Sequence, residues 1–198
     1  MFKHTVEIIS LILNILCWIH YYIYSKKLSK VVVFFSGAVF LGGIIEAVSI
    51  ITTSSYNYPG FLIYLGPVPL FIAIGWGSTF YITYRISDQI LSQFVNKKNY
   101  FLLFGMTAGL VGLVTDLCYD PVAVNLGWWE WQKGSIYFGV PISNFIGWFV
   151  FCFGFCFVYK YIYSKEWSTP KKTMFFYLSL VIVFFVTAFS TMPFLNLF

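Results

Sequence analysis

Charged residues are scarce in this chain: Asp, Glu, Lys and Arg make up 10% of its 198 residues. A soluble domain carries about a quarter charged residues, so the scarcity excludes an ordinary soluble fold. Histidine is also rare, and His4 and His20 are well separated in the sequence. Because the Cys152–Cys156 pair has no histidine nearby, we expect no metal site, and we predict no cofactor. The chain has no basic tail or aromatic–basic platform, so we expect no nucleic-acid partner.

The residues that are present are mainly apolar: 60% are hydrophobic and 23% are aromatic. They form continuous runs of about 20 residues, the length that crosses a bilayer as a helix. A transmembrane barrel would show short stretches of alternating polarity instead. The sequence therefore predicts an all-α membrane bundle of about six helices, forming one domain over residues 1–198. The predicted spans are 6–24, 31–52, 61–84, 100–119, 138–159 and 174–195.

Basic residues are divided unevenly between the two sides of this predicted bundle. Ten lie in three connections on one side, whereas only Lys3 and Lys133 lie on the other. Since lysine and arginine accumulate in cytoplasmic loops, we expect both termini outside, in a multi-pass protein of a prokaryotic cytoplasmic membrane. The ten residues are Lys26, Lys27, Lys30, Arg85, Lys97, Lys98, Lys160, Lys165, Lys171 and Lys172.

Three of the seven acidic residues, Glu46, Asp116 and Asp120, fall within or at the ends of predicted spans. An ionisable group in that position costs several kcal/mol unless it is paired or hydrated, so it indicates function. All three are expected at one level of the bundle, where adjacent carboxylates cannot all ionise cheaply. A structural alternative is that Asp120, which precedes Pro121, caps a helix. For Asp116 and Glu46 the structural alternative is a buried hydrogen bond to Tyr or Asn that holds the bundle together.

Asn144 and a group of aromatic residues are predicted near the same level. Asn144 can hydrogen-bond a carboxylate or a water, and aromatic rings can stabilise a developing carbocation. The alternative is that these rings fill space, face lipid or form an interfacial belt. The candidate substrate-binding residues are Tyr64, Trp76, Tyr119, Trp128, Trp131, Tyr137 and Trp148.

Several prolines and one glycine are candidates for structural roles. Pro67 and Pro69 fall in the third predicted span, where proline removes backbone hydrogen bonds and kinks a helix. We expect a kink there, the alternative being a helix that begins only after Pro69. Pro121, Gly139 and Pro141 are the other structural candidates. A three-plus-three internal repeat is not evident.

Five sequence blocks together resemble a known family. They are GIIE at 43–46, GPVP at 66–69 with Trp76, DLCYDPVA at 116–123, LGWWEW at 126–131 and YFGVPISNFIGW at 137–148. In these blocks the chain is similar to the carotenoid biosynthesis membrane proteins that include the CruF-type carotenoid 1,2-hydratases, or bisanhydrobacterioruberin hydratases. The resemblance implies an enzyme that adds water to a terminal double bond of a linear carotenoid.

The favoured function is therefore hydration, with Glu46, Asp116, Asp120 and Asn144 as candidate catalytic residues. Its partners would be membrane lipid and a hydrophobic isoprenoid or carotenoid substrate. One alternative is a non-catalytic lipid-binding or transport protein whose carboxylates relay protons. Another is an isoprenoid transferase or cyclase in which two aspartates hold Mg²⁺ on a diphosphate. The scarcity of basic residues on the outer side argues against the second alternative, and the sequence makes no prediction of oligomeric state.

Overall fold

The chain folds as a helical bundle in a computed structural model that describes residues 2–94, 99–132 and 135–194. The predicted all-α class is confirmed. Lys97, Lys98 and Lys133, which entered the topology prediction, lie outside the described residues. The helices are α1 (Phe2–Ser25), α2 (Leu28–Thr53), α3 (Leu70–Ile90), α4 (Tyr100–Asn125), α5 (Ile142–Tyr163) and α6 (Thr169–Thr191).

Among the described residues, every helix except α3 is long and apolar enough to cross a membrane. α3 carries Arg85 and Asp88 and is the least apolar of the six. It lies in the centre of the bundle, where it contacts α1, α2, α4 and α5. The neighbouring helices therefore shield the most polar helix from lipid, as expected for an integral membrane protein.

Short antiparallel strand pairs lie at one end of the bundle, which we call the hairpin end. At the opposite end, Lys26 and Lys27 connect α1 to α2 and Lys165 follows α5, and we call this the lysine end. Two of the pairs are hairpins with two-residue turns. Gly66 (φ 62°) and Gly139 (φ 89°) occupy the left-handed positions that such turns require. The strand pairs are β1 (Tyr56–Asn57) with β4 (Glu130–Trp131), β2 (Tyr64–Leu65) with β3 (Val68–Pro69), and β5 (Ser135–Tyr137) with β6 (Val140–Pro141).

The hairpins correct the predicted starts of two spans. The third helix begins at Leu70 rather than at residue 61, and the fifth begins at Ile142 rather than at 138. The predicted kink at Pro67 and Pro69 is wrong, because Pro67 lies in a turn and Pro69 directly precedes the helix. Hydropathy alone cannot distinguish a short apolar strand from the first turns of a helix. Each hairpin and the helix that follows it therefore form one continuous apolar run in the sequence.

The fourth helix continues past the position where its end was predicted. α4 passes through Pro121 and ends at Asn125, so the alternative that Asp120 caps a helix end is wrong. The helix ends in a Schellman arrangement: the Gly127 N–H donates to Val124 O and the Trp128 N–H to Ala123 O, each at 2.9 Å. Gly127, with φ 64°, is the residue that stops the helix.

Candidate functional site

Glu46 lies on α2 near the hairpin end, with 9% of its surface exposed. Its Oε2 accepts hydrogen bonds from the Tyr56 hydroxyl at 2.6 Å and the Tyr58 hydroxyl at 2.9 Å. Its Oε1 accepts one from Trp76 Nε1 at 3.1 Å. Burial and the adjacent Glu46 carboxylate raise the pKa of Tyr56 and of Tyr58 well above the ordinary value for tyrosine, so both hydroxyls keep their protons. Glu46 is thus held by three neutral donors.

Asp116 and Asp120 share a single amide group. Asn144 Nδ2 lies 3.1 and 2.8 Å from the two carboxylate oxygens of Asp116 and 2.7 Å from Asp120 Oδ2. Asp116 is fully buried and Asp120 is 3% exposed. We call Glu46, Asp116, Asp120 and Asn144 the acidic cluster. Within the described parts of the chain, no ion pair joins its carboxylates to a basic side chain.

Glycines on α2 and α4 bring the neighbouring helices close to these carboxylates. A Cβ on Gly42, one turn before Glu46, would collide with Trp76 of α3. A Cβ on Gly112, one turn before Asp116, would collide with Cys152 of α5. Small residues of this kind allow helices to pack closely in membranes. Each acid is therefore within reach of a donor on the next helix.

The pairing of β1 with β4 holds the loop that follows α4 over the acidic cluster. Tyr56 pairs with Trp131, their rings lie 4.6 Å apart, and the Gln132 N–H donates to Ser55 O at 2.7 Å. This pairing fixes Tyr56 in reach of Glu46. Trp131 Nε1 is buried and has no hydrogen-bond partner among the described residues, so its N–H is available to a ligand.

Two cavities meet beside the acidic cluster. The first, about 340 Å³, lies between α2, α5 and α6; the second, about 290 Å³, lies between α1, α3 and α4. Both are lined mainly by apolar side chains. The residues that line both cavities define what we call the junction: Glu46, Tyr56, Trp76, Trp131, Asn144 and Trp148.

The predicted site residues differ in their access to these cavities. Glu46 and Asn144 line both cavities, Asp120 lines the second alone, and Asp116 lines neither. Of the aromatic candidates, Trp76, Trp131 and Trp148 lie at the junction and Tyr119 lines the second cavity. Tyr64, Trp128 and Tyr137 line neither.

These last three residues lie in the loops and strands of the hairpin end and contact other parts of the chain there. The Tyr64 hydroxyl donates to Tyr58 O, although the Tyr64 side chain is 39% exposed. Trp128 packs against Tyr119, and Tyr137 against Phe145. Their positions support the architecture around the cavities rather than direct ligand contact.

Some residues at the site had little or no sequence signal. Tyr56 and Tyr58, which donate to Glu46, have nothing in the sequence that distinguishes them from the other tyrosines. Trp129, which lines the second cavity, lies in a loop with two other tryptophans. Thr187 of α6 lines the first cavity and follows a largely apolar run of that helix. Among the described residues, no three His, Cys, Asp or Glu side chains are grouped to hold a metal ion.

Comparison with known proteins gives one match. A family model described as "Carotenoid biosynthesis protein" matches residues 6–197, almost the whole chain. No curated protein and no solved structure matches the chain significantly. The matched region includes α1 from Val6 onward, the other five helices and every residue of the acidic cluster.

Proposed function

The chain belongs to the carotenoid biosynthesis protein family, and from this premise we propose that it adds water across a terminal double bond of a linear carotenoid. The observation that carries the proposal is the junction itself. There, two apolar cavities meet at Glu46 and at Asn144, whose amide binds Asp120 and Asp116, so carboxylates in two different environments adjoin one place. One carboxylate is held by three neutral donors, and the other two share one amide. Such a pair of environments divides acid and base roles between like residues.

Asp120 is the proposed proton donor. Asp116 and Asp120 converge on Asn144, and two carboxylates this close in an apolar site repel each other when both are ionised. The pair therefore favours holding one proton between them. Asp120 faces the second cavity whereas Asp116 is sealed behind it. In the proposed step, the Asp120 O–H bond breaks and its proton bonds to the less substituted alkene carbon.

The resulting tertiary cation would lie among the aromatic side chains of the junction. The Trp76 and Trp148 rings are 4.7 Å apart, centre to centre, and both line the two cavities. A cation above an aromatic face is attracted by the ring quadrupole. The nearby Glu46 carboxylate adds negative charge at the same place. The junction thus suits a short-lived positive charge in an otherwise apolar site.

Glu46 is the proposed acceptor of the water's proton. Its three donors favour the ionised carboxylate, because hydrogen bonds to the charged form stabilise it. The free Trp131 N–H at the junction can hold the water oxygen. Water bonds to the cation and gives one proton to Glu46, and transfer of that proton back to Asp120 restores the enzyme. The net change is one water added to one C=C bond.

We also propose that the lysine end faces the cytoplasm of a prokaryotic cell. Lys26 and Lys27 follow α1 at that end, and Lys165 follows α5, in keeping with the positive-inside rule. The reaction would then take place near the outer leaflet. A reporter that is active only in the cytoplasm, fused after residue 198, should be inactive; an active reporter would reverse the orientation.

Expression of the chain in cells that accumulate lycopene tests the activity. We expect mass spectrometry of the extracted pigments to show products heavier by one water, because lycopene has terminal double bonds. The matched control is Glu130→Gln, which alters an exposed carboxylate of β4 away from the cavities and should leave product formation intact. Unchanged lycopene, with the protein present in the membrane, would contradict hydration of this substrate. Lycopene that copurifies unchanged with the protein would support a carrier instead.

A further inference from the structure

Two helices of the bundle begin with the same sequence pattern. Val-Pro-x-x-x-x-Ile-Gly-Trp occurs at 68–76, leading into α3, and again at 140–148, leading into α5. A hairpin with a glycine in its turn forms the start of both segments. Trp76 and Trp148 are therefore equivalent residues, and both lie at the junction.

The preceding helices carry a matching pattern of buried residues. Each has Phe, Ala, Gly and an acid at successive intervals of four, which places all four on one face. Glu46 and Asp116 are the acids in these equivalent positions. The chain thus repeats α2–hairpin–α3 as α4–hairpin–α5, a shift of two helices rather than three. The buried residues are Phe34, Ala38, Gly42 and Glu46 in α2, and Phe104, Ala108, Gly112 and Asp116 in α4.

The repeat also relates the two cavities to each other. α5 lines the first cavity and α3 lines the second with residues at the same positions of the repeat. α1 covers the second cavity, and α6 covers the first. The equivalent lining residues are 143, 144, 147, 148 and 151 in α5, and 71, 72, 75, 76 and 79 in α3.

Both cavities also extend from the junction to the lipid-facing surface. Phe189 and Met192, which line the first cavity, are 63% and 56% exposed. Ile9 and Leu13, which line the second, are 57% and 41% exposed. Because six residues line both cavities, the two spaces adjoin at the acidic cluster. They have the form of two arms that meet at one centre.

We infer that the two cavities are arms of one binding site that a single linear isoprenoid chain occupies together. The terminal segment of the chain lies in the second arm, which Asp120 lines, and the chain crosses the junction and leaves through the first arm to the lipid. This inference takes the chemical class of the occupant from the proposed function. The α2 wall of the first arm runs from Ile45 to Thr53, about 12 Å at 1.5 Å per residue. A carotenoid is far longer than one arm.

The polar groups of the two repeats are not equivalent, which leaves one reaction centre rather than two. The position of Asn144 is Ile72 in the first repeat, and the position of Asp120 is Ile50. The first repeat therefore lacks the shared amide and the second carboxylate. The arms are alike in shape, whereas the proposed proton donor belongs to the second repeat alone.

Equivalent glycines permit a matched test of the two arms. A Cβ on Gly75 would lie 3.4 Å from Ser10 Oγ in the second arm, and one on Gly147 would lie 3.4 Å from Thr191 Cγ2 in the first. Both are ordinary contact distances, so Gly75→Ala and Gly147→Ala should keep the fold, and they serve as small-side-chain comparisons for the leucine variants at the same positions. Gly75→Leu and Gly147→Leu should each fill one arm. Thermal unfolding in detergent identifies any variant that has lost its fold.

Binding is measured as quenching of tryptophan fluorescence, which requires no turnover. The probes are lycopene and parinaric acid, a linear polyene less than half as long. We expect each leucine variant to lose lycopene binding at least tenfold while still binding parinaric acid in its open arm. The double variant should bind neither.

Full lycopene binding by a folded leucine variant would overturn the inference, because one arm would then suffice. If one of the two single leucine variants lost parinaric acid binding and the other kept it, the inference would also be overturned, since the arms would not be equivalent. If lycopene binds as expected but is never hydrated, the two-armed site stands and the proposed reaction fails.

Discussion

Asp88, which is partly buried, and the buried acidic cluster are carboxylate sites near opposite ends of the bundle, and they are stabilised in different ways. Asp88 forms ion pairs with Lys160 of α5 and with Arg85, whose Nη1 lies 3.0 Å away. The acidic cluster has neutral donors only: two tyrosines, a tryptophan and an asparagine. Loss of one partner from such an ion pair is destabilising, because the other charge is left without compensation. A carboxylate without a cation can take up or release a proton more readily, which is the property that acid–base catalysis requires.

The sharpest test of this contrast is Asp120→Asn. Asparagine keeps the size of the side chain but has no acidic proton to donate to the alkene. General acid catalysis contributes about 10²–10⁴-fold to a rate, so we expect hydration of lycopene to fall by at least 100-fold. Product formed per unit of membrane protein is the measurement, with Glu130→Gln as control. An equal loss of product in Glu130→Gln would contradict the assignment of Asp120 as the proton donor.

Glu46→Gln should have the next largest effect. The amide cannot accept a proton from water. Its NH₂ group is also a donor, and it would face the hydroxyl and indole donors that now bind the carboxylate oxygens. We expect a loss of about 100-fold, within the range for a general base. Measurement of lycopene quenching separates chemistry from binding, because the variant should still bind the pigment. Normal turnover by Glu46→Gln would show that the water is deprotonated elsewhere.

Tyr56→Phe removes one of the three donors to Glu46 and leaves the other two. A hydrogen bond to a charged group contributes about 1.5–3 kcal/mol, so we expect turnover to fall about tenfold. Tyr137→Phe is the matched control, because Tyr137 lines neither cavity and its ring contacts Phe145. An equal fall in both variants would indicate a general effect on the hairpin end rather than a role at Glu46.

Much of the fold follows from composition and periodicity, because a bilayer permits few solutions for an apolar chain. The class, the helices and the level of Glu46, Asp116 and Asp120 are all readable from the sequence. The start of α3 is not, since the apolar residues of its hairpin extend the apolar run. Nor is the passage of α4 through Pro121, because the stop signal at Gly127 lies six residues further along.

The residues that line the two cavities cannot be predicted from the sequence, for a different reason. Which of two aspartates faces a cavity depends on the rotation of α4 against α5, and therefore on contacts such as Gly112 against Cys152. Thr187 lines a cavity because α6 packs beside α5, and nothing in its apolar surroundings indicates this. A comparison of the two halves of the chain does not reveal the repeat, because the repeat is displaced by two helices instead of three.

Asp88→Asn should have the smallest effect on activity and makes the comparison complete, because the chemical change equals that of Asp120→Asn. Here the lost charge leaves Arg85 and Lys160 without their partner in a partly buried position, so we expect a loss of about 1–3 kcal/mol in stability. Turnover by the folded fraction should stay within about twofold, since the sites are far apart. Asp120→Asn should instead leave thermal unfolding unchanged or raise its temperature, because it removes repulsion from Asp116. If Asp88→Asn abolished turnover while Asp120→Asn lowered only stability, the roles of the two ends of the bundle would be reversed.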